Sequence, residues 1–473
     1  MTLAKFQWKK WAWPILIGLI IWACTPIRPE GIALNAWYML AIFVATIVGC
    51  ITQPLPIAGV TIVGFSLMVL AGITTMDEGA EAFGNNTVWM IVAAYFMSRG
   101  FIKTGLGSRI AYLFIKWFGR KTTGLAYSLM AVDFVTAPAT PSSTARVGGI
   151  VFPIMESLAN AFDSHPNDQA SSRKLGAYLS FIAFHSDIIA AATFMTAMAP
   201  NVLAVSMAGQ RGIHISWMEW LIAAIVPAII SIIVIPWLIY KMYPPEIKET
   251  PNAKAWAEDQ LKTQGKMSTA EKIMAGVFVV ALVLWMTSSL TGMDATLVAF
   301  LAVSALLVTG VLDVSDILHE TGAWSTLIWF SVLIFMANEL NKLGLITWLS
   351  NAMGSALKGY NWAIVFVIVI LFYFYSHYLF ASGTAHVTAM YPALLAILLS
   401  AGTPGSLAAM ALAFTGSIFA STTHYANGPA SVLFAAGYVK QSDWWRMNAI
   451  LGPVYLIIWI GIGGLWMKLI GMW

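Results

Sequence analysis

Charge and cysteine are what this chain has least of. Only 10% of its 473 residues are Asp, Glu, Lys or Arg, where a soluble domain carries roughly a quarter, while 59% are hydrophobic. That balance excludes a water-soluble globule. Its net charge of +4 is scattered and builds no basic stripe, which excludes a nucleic-acid partner. Cys24 and Cys50 form neither a CxxC pair nor a disulfide framework, and both read as packing. H-E-x-x-H and G-x-S-x-G are missing, no G-x-G-x-x-G follows a strand, and His319-Glu320 has no second ligand at helical spacing. The sequence therefore supports no enzyme, no cofactor and no metal site.

What it has is apolar length. A helix needs about 20 apolar residues to cross a bilayer, and runs of that order lie near 12–27, 31–51, 56–73, 216–243, 271–290, 295–312 and 446–472. Others are broken by Gly, Pro or polar clusters. The reading is an all-α polytopic membrane protein in contact with a lipid bilayer. Lys5, Lys9 and Lys10 precede the first run and no A-x-A-like cleavage site follows it, which predicts a retained first helix and a cytoplasmic N-terminus. Trp residues gather at 8–13, 217–220, 444–445 and 466–473, as interfacial belts would. One long polar stretch, 243–272, is rich in Lys with a Pro-rich start and predicts a central cytoplasmic linker.

The two sides of that linker repeat one another. N-N-T-V-W-M-I-V-A-A-Y-F-M-S-R-G-F-I-K-T-G-L, from Asn85, aligns with W-S-T-L-I-W-F-S-V-L-I-F-M-A-N-E-L-N-K-L-G-L, from Trp324: Thr87 meets Thr326, Lys103 meets Lys342, and Gly105-Leu106 meets Gly344-Leu345. Carried backwards the register pairs Asp77 with Asp316. Carried forwards, it sets S-S-T-A-R (142–146) on S-G-T-A-H (382–386). A third pairing, after a shift in register, sets the stretch 193–209 on 422–437 with Pro200 opposite Pro429. Repeats separated by an odd number of crossings insert with opposite orientation, the arrangement of secondary transporters whose sites lie where helices are discontinuous.

In A-P-A-T-P-S-S-T-A-R-V-G-G, Pro138, Pro141, Gly148 and Gly149 oppose a continuous helix. Irregular backbone inside a membrane is tolerated only against protein or a water-filled cavity. Amides freed at a half-helix N-terminus, with the dipole behind them and hydroxyls beside them, suit a carboxylate. Two such loops meeting at the midplane offer one site to each end of a dicarboxylate. Ser and Thr also glue packed helices, but the repeat-related pair, each copy beside Gly or Pro, favours a site.

P-S-S-T-A-R-V-G-G-I-V-F-P-I, H-Y-L-F-A-S-G-T-A-H-V-T-A-M-Y-P-A and T-T-H-Y-A-N-G-P-A resemble the divalent anion/sodium symporter family, and within it the bacterial citrate/succinate and 2-oxoglutarate/malate exchangers. The resemblance covers nearly the whole chain. It implies a homodimer, about eleven spanning helices per protomer, two re-entrant hairpins in an inverted repeat, and a transport domain moving as an elevator. It also implies substrate contacts at Ser142, Ser143 and Thr144 and at Ser382, Gly383 and Thr384. The expected division is scaffold helices at 1–80, the first half of the transport domain at 81–212, with a hairpin near 81–105 and a Ser/Thr loop at 138–149, and a membrane helix at 213–242. After the linker come scaffold helices at 273–319, the second transport half at 320–440, with a hairpin near 320–345 and a loop at 380–388, and a last helix at 441–473.

The chain departs from the sodium-coupled pattern at one place in each loop. Those members carry Asn at the middle position, where its carbonyl helps coordinate a cation; here Ser143 and Gly383 stand there. Arg146 and His386 are the expected substitutes for that charge, with Asp133 or Glu156 the partners a purely structural Arg146 would need. His424, Thr196, Thr422, Thr423, Asn427, Pro200 and Pro429 are the further site-lining candidates. Fixed charges cannot leave with the substrate, which predicts sodium-independent exchange of di- or tricarboxylates. The alternative is a sodium-coupled dicarboxylate symporter of the same fold, and a channel fits the paired broken helices less well.

Overall fold

The computed structural model of the chain describes residues 8–357 and 359–473; Lys5 lies outside them. Apart from one isolated bridge, Lys121 with Glu249, its regular structure is helical. Among the described residues seven helices are long and apolar enough to cross a membrane, and four shorter apolar ones, Ile57–Leu70, Ala199–Gly209, Ala295–Val308 and Gly405–Ser421, accompany them.

The repeat recurs element by element. Thr75 caps the short helix Met76–Glu81 with a reciprocal bond to Glu78, and Asp313 caps Val314–His319 in the same way with Asp316. These caps align Glu78, rather than Asp77, with Asp316. Next come the helices Asn86–Thr104 and Thr321–Lys342, and the glycines that follow, Gly105 (φ 74°) and Gly344 (φ 82°), take the left-handed conformation that lets the chain turn. The lysines ending those helices cross between repeats: Lys103 pairs with Asp313 and Asp316, and Lys342 with Glu78. Glu78, on the surface, is held down to about 2 by the Thr75 N–H, Thr74 and Lys342.

The stretches expected as re-entrant hairpins, near 81–105 and 320–345, each hold one long unbroken helix instead, Asn86–Thr104 and Thr321–Lys342. The hairpins are at Thr122–Thr136 returning through Ser143–Arg146 to Phe152–Ala161, and at Trp362–Ser376 returning through Gly383–Ser400. Pro138 and Pro141 break the first; Ser142 and Ser382 cap both return helices. Each return arm folds back on its partner: Arg146 reaches Asp133, and His386 and Met390 reach Ser376. A broken helix follows each hairpin, Gly176–Thr193 with Ala199–Gly209, and Gly405–Ile418 with Gly428–Ala435. The loop before the first of these (162–175) is longer than before the second (401–404), which accounts for the register shift between 193–209 and 422–437.

The two hairpins start from opposite sides. The first begins on the linker: Thr122 N–H donates to Lys248 O at 3.1 Å, and Thr250 N–H to Arg120 O at 2.9 Å. The C-terminal helix system, Gln441–Leu469, begins at the linker, where Tyr243 Oη–H donates to Asp443 at 3.1 Å, and runs 29 residues to the far side. There Trp473 meets Trp362, at the base of the second hairpin, with ring centroids 5.9 Å apart. The repeat is inverted.

Candidate functional site

Both hairpin tips and both helix breaks open on one cavity of about 320 Å³. Four helices begin at its wall: at Ser143, with Ser142 as cap; at Ala199, after Met198; at Gly383, with Ser382 as cap; and at Gly428, with Asn427 as cap. Ser142 Oγ accepts from Ala145 N–H at 3.2 Å, Ser382 Oγ from Ala385 N–H at 3.3 Å, and Asn427 Oδ1 from Ala430 N–H at 2.9 Å. Each such cap occupies one orphan amide and leaves others of the first turn available. Four helix dipoles thus present their positive ends to one small volume, where no charged side chain lines the wall. A larger groove of about 600 Å³ between the first three helices is almost wholly apolar and offers a carboxylate nothing.

Of the expected residues, Ser142, Ser143, Thr144, Ser382, Gly383, Thr384, Asn427, Pro200 and Pro429 line the cavity. Gly428 does too, and it must be glycine: a Cβ there would sit 1.8 Å from Thr144 Oγ1. Tyr95, from Asn86–Thr104, and Thr326 and Trp329, from Thr321–Lys342, close another wall. These three belong to the repeated stretches, so the repeat marked them, but only their placement shows that they face the cavity. Gln53, in the left-handed turn between Leu34–Thr52 and Ile57–Leu70, also lines it and carries no signal in the sequence.

Arg146 does not line it. The side chain is fully enclosed, with Nε donating to Asp133 Oδ1 at 2.5 Å, Nη2 to Asp187 Oδ1 at 2.6 Å, and Nη1 to the carbonyls of Thr140 and Ala197 at 2.9 and 3.0 Å. Its charge is matched inside the protein. The expected partner Asp133 is present, joined by Asp187 rather than Glu156; helix spacing separated Asp187 from His185 but could not aim it at Arg146.

His386 stands off the cavity as well. Its Nδ1 lies 2.9 Å from His377 Nδ1, and its Nε2 lies 3.0 Å from Ser376 Oγ. His377 Nε2 donates to Ala426 O at 3.0 Å, so with both rings neutral His386 Nδ1–H donates to His377, and every bond in the chain is made without added charge. Neither of the charges expected at the site, Arg146 and His386, therefore stands on the cavity wall. His424 Nδ1 accepts from Trp445 Nε1–H at 3.0 Å, Thr196 donates to Pro138 O at 2.7 Å, and Thr422 donates to Phe419 O at 2.9 Å. Thr423 is buried as well, and none of these four lines the cavity.

The sequence as a whole matches the family described as sodium:sulfate symporter transmembrane region over residues 5–473. The chain belongs to this divalent anion/sodium symporter family. It is 48% identical over 460 residues to the putative malate transporter YflS of Bacillus subtilis, covering 97% of this chain and 96% of that one. It is 45% identical over 462 residues to the chloroplastic dicarboxylate transporter 1 of Spinacia oleracea, covering 97% and 81%, and 34% identical to the citrate/succinate antiporter of Escherichia coli, covering 100% of both. The YdaH transporter of Alcanivorax borkumensis, a solved structure, shares the fold at a TM-score of 0.57 with 12% identity, covering 97% of this chain and 98% of that one.

Proposed function

We propose that this protein exchanges di- and tricarboxylates of the 2-oxoglutarate, malate, succinate and citrate class across the cytoplasmic membrane of a bacterium, without sodium. The observation that carries the reading is the convergence of four helix N-termini, with five serine and threonine side chains from the two Ser/Thr loops, on a cavity free of charged walls. Such a site holds carboxylates by fixed dipoles and hydroxyls. Its two-fold character, one loop from each repeat, fits an acid with a carboxylate at each end. The relatives described as malate and dicarboxylate transporters and as a citrate/succinate antiporter lend the same reading support.

Fixed dipoles make the cycle an exchange. They cannot leave with the substrate, so an empty site would carry uncompensated positive potential across the membrane interior, while a site holding a dianion is compensated. The hairpins and broken helices form the moving unit of an elevator in a homodimer, sliding past the wall that Gln53, Thr326 and Trp329 supply. Arg120, Lys121, Arg173 and Lys174 cluster by the linker, which favours a cytoplasmic linker and N-terminus.

Radiolabelled malate, succinate and 2-oxoglutarate uptake into proteoliposomes tests this, with internal dicarboxylate present or absent and sodium replaced by choline. Uptake should require internal substrate and ignore sodium. Uptake driven by a sodium gradient into vesicles lacking internal substrate would make the protein a symporter and overturn the reading of Ser143 and Gly383.

A further inference from the structure

Directly behind the first tip, Asp133, Arg146 and Asp187 form a centre whose charges do not balance. All three side chains are enclosed, exposed by 0%, 0% and 1% respectively. One guanidinium faces two carboxylates, so the centre with both aspartates ionised carries one negative charge too many. Arg146 engages only Oδ1 of each aspartate; Asp133 Oδ2, Asp187 Oδ2 and the neighbouring Thr140 Oγ1 have no hydrogen-bond partner among the described residues. An unmatched carboxylate away from water is avoided by taking up a proton. Arg146 already bridges the two carboxylates, so the place between them is taken by its guanidinium.

We infer that this centre binds one proton together with the substrate. The inference rests on the carboxylate reading of the cavity. Ser143, on the cavity wall, and Arg146 both lie in the first turn of the helix whose start faces the substrate. With both aspartates ionised, the centre's excess charge opposes an arriving dianion. A proton from the same aqueous phase, settling on a free carboxylate oxygen, removes that opposition. Coupling between two ligands is reciprocal, so the dianion strengthens proton binding by the factor the proton strengthens substrate binding. The proton then enters with one substrate and departs with the next, leaving the exchange itself proton-neutral.

The other titratable groups on surrounding elements are engaged elsewhere. His185, on the helix that bears Asp187, meets Tyr455 at 3.1 Å. Glu156, on the return arm, is only partly buried and bonds none of the three residues of the centre. Tyr95 reaches toward Ser142 and Thr326, His424 bonds Trp445, and His377 and His386 bond each other in the other repeat.

The experiment is isothermal titration of malate into the full chain in lipid nanodiscs at pH 7.5, where malate is a full dianion, in phosphate and in Tris, whose ionisation enthalpies differ. Binding should take up as much as one proton per malate, and affinity should fall by up to about tenfold per pH unit as the pH rises above the centre's midpoint. Proton uptake should disappear in Asp187→Asn, with Asp133→Asn as the second variant should the first not fold, and persist in His386→Gln. Identical enthalpies in both buffers with malate binding intact would overturn the inference while leaving the carboxylate site standing. Uptake lost only in His386→Gln, or binding linked to sodium and not to buffer, would also overturn it. Failure of malate, succinate, 2-oxoglutarate and citrate all to bind would instead sink the proposed function, and this inference with it.

Discussion

Arg146 shows how far one side chain's role depends on its neighbours. In the sequence it is a cation beside a Ser/Thr loop, the obvious counter-charge for a dianion. In the fold it donates to two carboxylates and two carbonyls and never reaches the cavity wall. Removing one partner of a buried ionic group leaves the other unmatched, at a cost of about 3–5 kcal/mol. Arg146→Gln should therefore lower thermal stability in detergent markedly, and Arg146→Lys should not restore it, because a single ammonium cannot hold the planar, forked arrangement of four acceptors. A variant as stable as the wild type but weak in substrate binding would return Arg146 to the role of direct ligand.

At the scale of elements, the site depends on how closely helix ends approach across the repeats. The return helix of the first hairpin meets the second broken helix where Thr144 touches Gly428, and the first broken helix is tied to the first tip by Ala199 N–H donating to Pro141 O at 3.1 Å. A methyl group at position 428 would overlap Thr144 Oγ1 and press its Cβ at 2.9 Å, so one helix start must shift. Gly428→Ala should express and insert normally yet lose at least about tenfold in exchange rate, since misplacing a binding group by an ångström is that costly. Unchanged exchange in proteoliposomes would show that the contact is dispensable.

For the whole molecule, inversion is the deciding property, because it brings two hairpins from opposite sides to one cavity. With Cys24 and Cys50 replaced by alanine, a cysteine at exposed Asp259, in the linker, should react with an impermeant maleimide from one side only, and one at exposed Tyr360, at the base of the second hairpin, from the other. Labelling of both from the same side in oriented vesicles would contradict the inverted arrangement.

The sequence by itself determined the solvent, the repeat and the polar loops that enter the cavity wall. A charge content of 10% leaves a membrane as the only medium in which this chain folds, and a constant register shift locates matching segments whatever their shape. Ser142, Thr144, Ser382, Thr384, Asn427 and the prolines at 200 and 429 were legible because capping residues and helix breakers act locally, on the few residues around them. Only the tertiary structure decided where the hairpins turn, since 86–104 and 321–342 are apolar helices as the hairpin arms are, and which helix reverses depends on what it packs against. It alone decided that Arg146 answers to Asp187 beside Asp133, that His386 leans on His377, and that Gln53 and Tyr95 face the cavity. Charge pairing and burial depend on residues far apart in the chain, 41 positions in the case of Arg146 and Asp187, and spacing within one helix carries no information about them.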